Sequence, residues 1–411
     1  MVMSVVRTSG RRVGLAAAVM ALAVTAAGCS SSGSKTSTPQ GLTGHQAKAF
    51  ADKQISALDA SAATVLRPKP GSYLAGKKTV TVLGSTTPAN GDENPYAILP
   101  VTRTIGSERA GDVLVDNFNN RSNFQGTGTT IVDMHPKGSV SVFANLAGAK
   151  RSCPGGVGLT TAMVQLKTGW IIVGSLPSTD GVTTTAGRGC LLVVSPKGKL
   201  VKTISAPYLN GPWDATVKDD GDTATLFVDN TLVGLKHSPT ATAHGGNVVR
   251  LTLKQTASSP PTVTAHTVIA SGYGEAGDPT VFVKGPTGLL LGSNGTLYVA
   301  DNVGNRVQKV PNALTRTTSA GVGTTLTSGG QLSDPLGMTF APGGDLLVAN
   351  ARNGKIVEVT PSGEQVGEDY AIENTGQDPA GSGDLFDLAI DPYRHGVLFV
   401  KDDENTLALL H

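Results

Sequence analysis

Two aromatic–aspartate pairs, Trp213-Asp214 and Phe386-Asp387, carry side chains that could do chemistry together, and Tyr96 follows an Asn94-Pro95 step much like the Gly211-Pro212 step before Trp213. Carboxylates between aromatic walls can hold a cation, orient a polar ligand, or titrate outside their ordinary range when brought close. Asp116, Asn117, Asp229, Asp301 and Asn350 each end or follow a short apolar run. Residues of this kind either line a polar rim or accept hydrogen bonds from turn backbone, and the sequence leaves both roles open. His237 and His244 lack a matched set of acidic or thiolate partners, so by themselves they do not define a metal centre. No Gly-x-Ser-x-Gly elbow and no phosphate-cradling glycine loop occurs.

These residues can act together only if the chain brings them to one place, and a repeat supplies the means. Asn294 to Val310 reads NGTLYVADNVGNRVQKV, an Asn-Gly turn followed by two alternating runs around a polar corner, which is the pattern of a β-hairpin. Its core recurs as GDVLVDN, GWIIVGS, ATLFVDN, GDLLVAN and GVLFVKD. Aligning the shared valines, Val115, Val173, Val228, Val299, Val348 and Val400, gives steps of 58, 55, 71, 49 and 52 residues. Each step accommodates a four-stranded blade, and blades bury their faces by stacking around a ring. The sequence therefore predicts an all-β fold, a six-bladed β-propeller.

In 411 residues, 52 Gly and 23 Pro with 16% charged residues suit many short strands and tight turns, with little helix. A formal net charge of +2 gives no field to recruit nucleic acid. The last repeat runs out after three strands, at His411, while Lys77 to Gly84 is an alternating strand with no hairpin partner. Pairing the two ends of the chain would close the ring. Residues 76–411 are assigned to the propeller and residues 29–75 to a tether with one amphipathic helix between Gln40 and Leu66. The 71-residue step is attributed to a Ser258–Pro261 bulge and to a loop from Ser271 to Pro286. The corners after the second strand are long in blades one to three, which points to a ligand or partner surface on that side.

The corner residues Asp116, Asn119, Asn120 and Arg121 in blade one, Asp301, Asn305 and Arg306 in blade four, and Asn350, Asn353 and Lys355 in blade five resemble the NHL repeat. Gly304 stands where that family often has Asn, and blades two and three lack the Asn and Arg positions. The general look is also similar to gluconolactonase-type lactonases, streptogramin lyase-like enzymes and strictosidine synthase-like proteins. That similarity implies a channel-mouth site, in several of these with a divalent metal, and here calcium is the candidate cofactor at Asp214 and Asp387. The lactonases' Glu-Gly-Pro motif is absent. The functional expectation is a binding module for a protein, glycan or small molecule; the alternative is a metal-dependent hydrolase, lactonase or lyase.

Residues 1–28 have the basic and apolar regions of a signal peptide, and the Ala26-Ala27-Gly28-Cys29 junction resembles the bacterial lipobox. The expectation is a monomer on the outer face of the cytoplasmic membrane, lipid-anchored through Cys29; a soluble secreted protein is the alternative. Of the three cysteines, Cys153 and Cys190 remain, and in an exported chain they are candidates for one disulfide.

Overall fold

The computed structural model describes residues 71–136, 138–232, 242–278, 281–370 and 376–411. The signal peptide, Cys29, the tether and its expected helix lie outside these residues, as does His237. The described chain forms six antiparallel sheets, the blades of a propeller.

Blade one is β2 (Glu93–Pro100), β3 (Val113–Asn119), β4 (Thr130–Met134) and β5 (Val140–Asn145), following the single strand β1 (Val80–Ser85). Blade two is β6 (Leu159–Gln165), β7 (Ile171–Ser175), β8 (Cys190–Val194) and β9 (Leu200–Ile204). Blade three has a fifth strand: β10 (Pro212–Asp219), β11 (Thr223–Asn230), β12 (Ala243–Thr256), β13 (Ser259–Asp278) and β14 (Phe282–Lys284). Blade four is β15 (Pro286–Leu291), β16 (Leu297–Asp301), β17 (Arg306–Val310) and β18 (Thr324–Ser328). Blade five is β19 (Pro335–Phe340), β20 (Leu346–Asn350), β21 (Lys355–Val359) and β22 (Gln365–Tyr370). Blade six is β23 (Leu388–Ile390), β24 (Val397–Lys401) and β25 (Thr406–Leu410).

The innermost strands β2, β6, β10, β15, β19 and β23 touch in cyclic order, with β23 returning to β2. All six ruler valines lie on the second strand of their blades with 0% exposure. Burying each stabilises the fold by about 2 kcal/mol, so the repeated valine is where each blade joins the interior. Apolar clusters fill the seams between successive blades, and one of them joins the blade-six-to-one seam to the ring axis.

Closure is by the chain ends. The orphan strand pairs antiparallel with β25, from Val80 opposite Leu410 to Ser85 opposite Thr406. The turn glycines at equivalent edges give an independent signature. Gly138, Gly198 and Gly363 have φ of 80°, 71° and 95°. A Cβ at these positions would collide with the carbonyl oxygens of Leu83, Phe143 and Leu326, respectively. Each turn thus packs against the outermost strand of the preceding blade, and for blade one that strand is β1.

The segment Ser271 to Pro286, expected as a loop, is an extension of the sheet. Strands β12 and β13 continue pairing beyond the blade as far as Ala243 opposite Glu275, and β13 then pairs with β14 through Ala276–Lys284, Gly277–Val283 and Asp278–Phe282. Gly272, Gly274 and Gly277 make the stretch read as turn-rich, but Tyr273, which is fully buried, anchors it in the blade-three-to-four seam.

Candidate functional site

Antiparallel order puts the loops leading into each blade and the corners between second and third strands on one face; the remaining turns share the other. On the first face the sequence-selected polar residues hold corners. Asp116 accepts from the Ala97 N–H at 2.9 Å, and Asp229 from the Asp214 N–H at 2.7 Å. Asn350 accepts from Ser333 N–H and donates to Gln331 O, while Asn117 donates to Thr86 O at 3.0 Å. Asp301 accepts from Gly304 N–H and pairs with Arg306 at 2.8 Å. The glycine that departs from the NHL pattern has a local reason, since a Cβ on Gly304 would stand 2.6 Å from Arg306 Nε. All five polar residues are at most 1% exposed.

The three aromatic residues do converge. Tyr96 stacks on Phe386 with ring centroids 4.4 Å apart and meets Trp213 edge-on at 5.5 Å, so blades one, three and six touch across the axis. Phe118 and Phe282 complete the group, at 4.7 Å from Tyr96 and 6.3 Å from Trp213 respectively. Of the two arrangements open to the sequence, walls or plug, the rings are packed as a plug, with Tyr96, Trp213 and Phe386 each 1% exposed. The cover comes from the extension of blade three, whose Val281, Phe282 and Val283 join the same cluster. Phe282 has φ of +65°, a backbone strain costing on the order of 1–3 kcal/mol that ring burial must offset.

Beside the plug, Asp214 accepts from Ala215 N–H at 2.7 Å and reaches into blade four to accept from Leu289 N–H at 2.6 Å. Asp387 accepts from Leu388 N–H at 2.8 Å and reaches into blade one to accept from Ile98 N–H at 3.0 Å. Burial raises the proton affinity of both, that of Asp387 to about 7, and Asp387's charge pushes Asp214 further up. Asp116 and Asp229 shift the same way, through burial first and then through Asp387 and Asp214 respectively. Calcium takes six to eight oxygens around one point. Asp214 and Asp387 instead spend both oxygens on backbone amides, tying neighbouring blades together.

The long corners of blades one and two are stitched to each other, Ser178 N–H donating to Gly126 O at 2.8 Å. They enclose a cleft of about 380 Å³ lined by Asn120, Thr127, Gly155, Gly156, Pro177 and Ser178. The expected Cys153–Cys190 disulfide is formed on this side, with a Cα separation of 5.6 Å, both cysteines lying within the seam between blades one and two. His244 is exposed at the start of β12.

On the opposite face is a group that sequence reading missed. Asp112, Asp133 and His135 place one ligand atom each within 4.8 Å of the others, the one such group among the described residues. His135 Nδ1 is 3.2 Å from Asp112 Oδ1 and 3.9 Å from Asp133 Oδ1. Burial and the neighbouring Asp112 charge raise Asp133 to about 6. Asp133 and His135 open onto a pocket of about 340 Å³ shared with Ser107, Arg109, Ser141 and Lys197. The signal available was register: Val113 pairs with Met134, so the residues flanking that pair, Asp112 and His135, come opposite each other. In the sequence His135 reads only as the first residue of a Pro-Lys-Gly turn.

No family model and no curated protein matches this sequence. Solved structures do. A gluconolactonase from Xanthomonas campestris aligns at 14% identity over 84% of this chain and 93% of its own, with a TM-score of 0.50. A calcium-binding protein, regucalcin, from Agrobacterium tumefaciens aligns at 14% identity over 80% and 92% with a TM-score of 0.47, and a virginiamycin B lyase from Staphylococcus aureus at 13% over 80% and 98% with 0.44. The likeness is one of fold. It places the chain among six-bladed propellers and leaves activity to be argued from side chains.

Proposed function

We propose that this protein is an exported, lipid-anchored propeller that hydrolyses a small ester or lactone with the help of a divalent cation. One observation carries the reading: two buried carboxylates and an imidazole gathered within 4.8 Å at the wall of a polar pocket. Asp112, Asp133 and His135 would hold the cation, which when bound supplies polarisation of a carbonyl and acidification of water. Arg109 and Lys197 bring positive charge to the pocket wall and Ser107 and Ser141 bring hydroxyls, a lining suited to a small polar substrate bearing negative charge. The test is a panel of lactones and esters assayed with zinc, manganese and calcium after chelation. Metal-restored turnover that Asp133→Asn abolishes supports the reading, and absence of turnover with every metal overturns it.

A second reading, capture of a protein, glycan or small molecule by the corner face, is favoured by the cleft between the long corners of blades one and two. Surface capture from a ligand library, lost on substituting Asn120 and Ser178 but unaffected at His135, would assign it. Export and anchoring rest on the signal segment and Cys29. Detergent partitioning of wild type against Cys29→Ala tests them; equal partitioning excludes the anchor.

A further inference from the structure

Several buried carboxylates of this propeller have both oxygens or their charge compensated. Asp214 and Asp387 accept backbone amides, Asp301 and Asp391 pair with Arg306 and Arg394, and Glu358 accepts from the Tyr73 and Leu74 amides. Asp112 and Asp133 are 3% and 5% exposed, and among the described residues neither forms an ion pair with Lys or Arg; the imidazole beside them is that of His135. Asp112 Oδ2 and Asp133 Oδ1 are buried without a hydrogen-bond partner, as are single oxygens of Glu108, Asp116, Asp229 and Asp384, but among the described residues only Asp112 and Asp133 gather with an imidazole within 4.8 Å. Buried carboxylate oxygens in that condition are costly unless something positive completes them.

We infer that Asp112, Asp133 and His135 form a centre for one transition-metal dication of the zinc class, selective against calcium. This deepens the hydrolase reading by naming its metal. Adjacent ligands of a tetrahedral site with bonds of about 2.0 Å stand about 3.3 Å apart, and the separations of 3.2 and 3.9 Å from His135 Nδ1 to the two aspartates bracket that value. One imidazole and two carboxylates make a three-ligand set that suits zinc or its first-row neighbours, whereas calcium calls for an all-oxygen shell of six to eight. Three protein ligands leave a fourth position, and the pocket beside Asp133 and His135 gives it access to solvent and substrate.

Strand pairing sets the positions of the two aspartates. Asp112 leads into β3 and Asp133 lies on β4, neighbouring strands in register at Val113–Met134 and Leu114–Asp133. His135 closes a turn by donating to Ser139 O at 2.9 Å and accepting from Gly138 N–H at 2.8 Å. The imidazole is therefore presented from a fixed corner, and its 31% exposure leaves a route for the ion.

The experiment uses full-length protein freed of metal by chelation. Cobalt is added and followed by its visible ligand-field absorption, with zinc and calcium as competitors. The expected result is one cobalt per chain, displaced by zinc and untouched by calcium, with affinity falling at least about tenfold in His135→Gln and in Asp133→Asn. Metal-free melting of each variant is measured alongside. His135→Gln alters a partly exposed turn residue, so it should still fold cooperatively and keeps the test valid if Asp133→Asn does not fold. Calcium displacing cobalt at equal concentration, or full cobalt affinity in His135→Gln, would overturn the inference. Stoichiometric metal without turnover of any ester or lactone sustains the centre and sinks the hydrolase reading; metal-restored turnover in a protein that binds no cobalt at His135 sinks the centre and leaves the hydrolase reading to another site.

Discussion

At Asp387 the fold keeps a carboxyl group where charge is unwelcome, because its oxygens are needed by two backbone amides from different blades, Ile98 and Leu388. The consequence is a pH dependence with a definite sign. The folded chain holds this proton up to about pH 7, while an unfolded aspartate releases it near its ordinary value of 3.8. Between those values the native state binds more protons than the unfolded state, so stability declines as pH rises through the window and is flat above it. Denaturant midpoints at pH 5 and pH 8 should show the higher stability at pH 5, and Asp387→Asn should narrow the gap. An unchanged gap would mean that the charge is compensated. The types and positions of Asp214 and Asp387 were visible in the sequence; their reach into neighbouring blades was not, because the amides they meet there belong to residues 75 and 289 positions away. The Asp112–His135 pairing was hidden for the same reason, since only strand register brings the two together.

At the scale of elements, the strands and turns were legible wherever alternation and Asn-Gly or Pro-x-Gly signals coincided, and the ruler valines located the second strand of every blade. The extension of blade three was misread because its glycines mimic a loop, while what fixes it is long-range: Tyr273 donates to Val322 O and Phe282 enters the axial plug. Phe282→Ala keeps the Cβ and hence the positive-φ strain, so it should cost about 3 kcal/mol in lost ring burial, measured by urea unfolding. A loss below 1 kcal/mol would show that the extension merely rests on the axis. The disulfide acts at the same scale. Cys153 and Cys190 are 37 residues apart, and on chain-entropy grounds the bridge contributes about 4 kcal/mol by restricting the unfolded chain. The double substitution to alanine should lower the denaturant midpoint without changing the metal affinity of the opposite face. Equal midpoints for oxidised and reduced wild type would contradict that contribution.

For the whole molecule the decisive contact joins its beginning to its end. An open ring would leave β25 as a bare sheet edge, and β1 covers it through the Val80–Leu410 ladder together with Lys78 and Thr79 N–H donors to His411 O. The strap before β1 adds a second hold on another blade. Glu358 of β21 accepts from Tyr73 and Leu74 N–H at 2.8 and 3.0 Å, and Leu74 is fully buried among blade-five and blade-six side chains. Burying Leu74 alone stabilises by about 2–3 kcal/mol, so the strap and strand together exceed what single substitutions elsewhere usually remove. This closure was readable because two independent deficits matched: a blade short of one strand and a strand short of a blade. A chain beginning at Gly71 retains every one of these contacts and should unfold in one cooperative transition. A chain beginning at Ala89 loses the strap, β1 and the seat of the Gly138 turn, freeing blade six to detach before the rest. Calorimetry should then show a broadened or split transition at lower temperature, and superimposable melts of the two chains would refute closure by the termini.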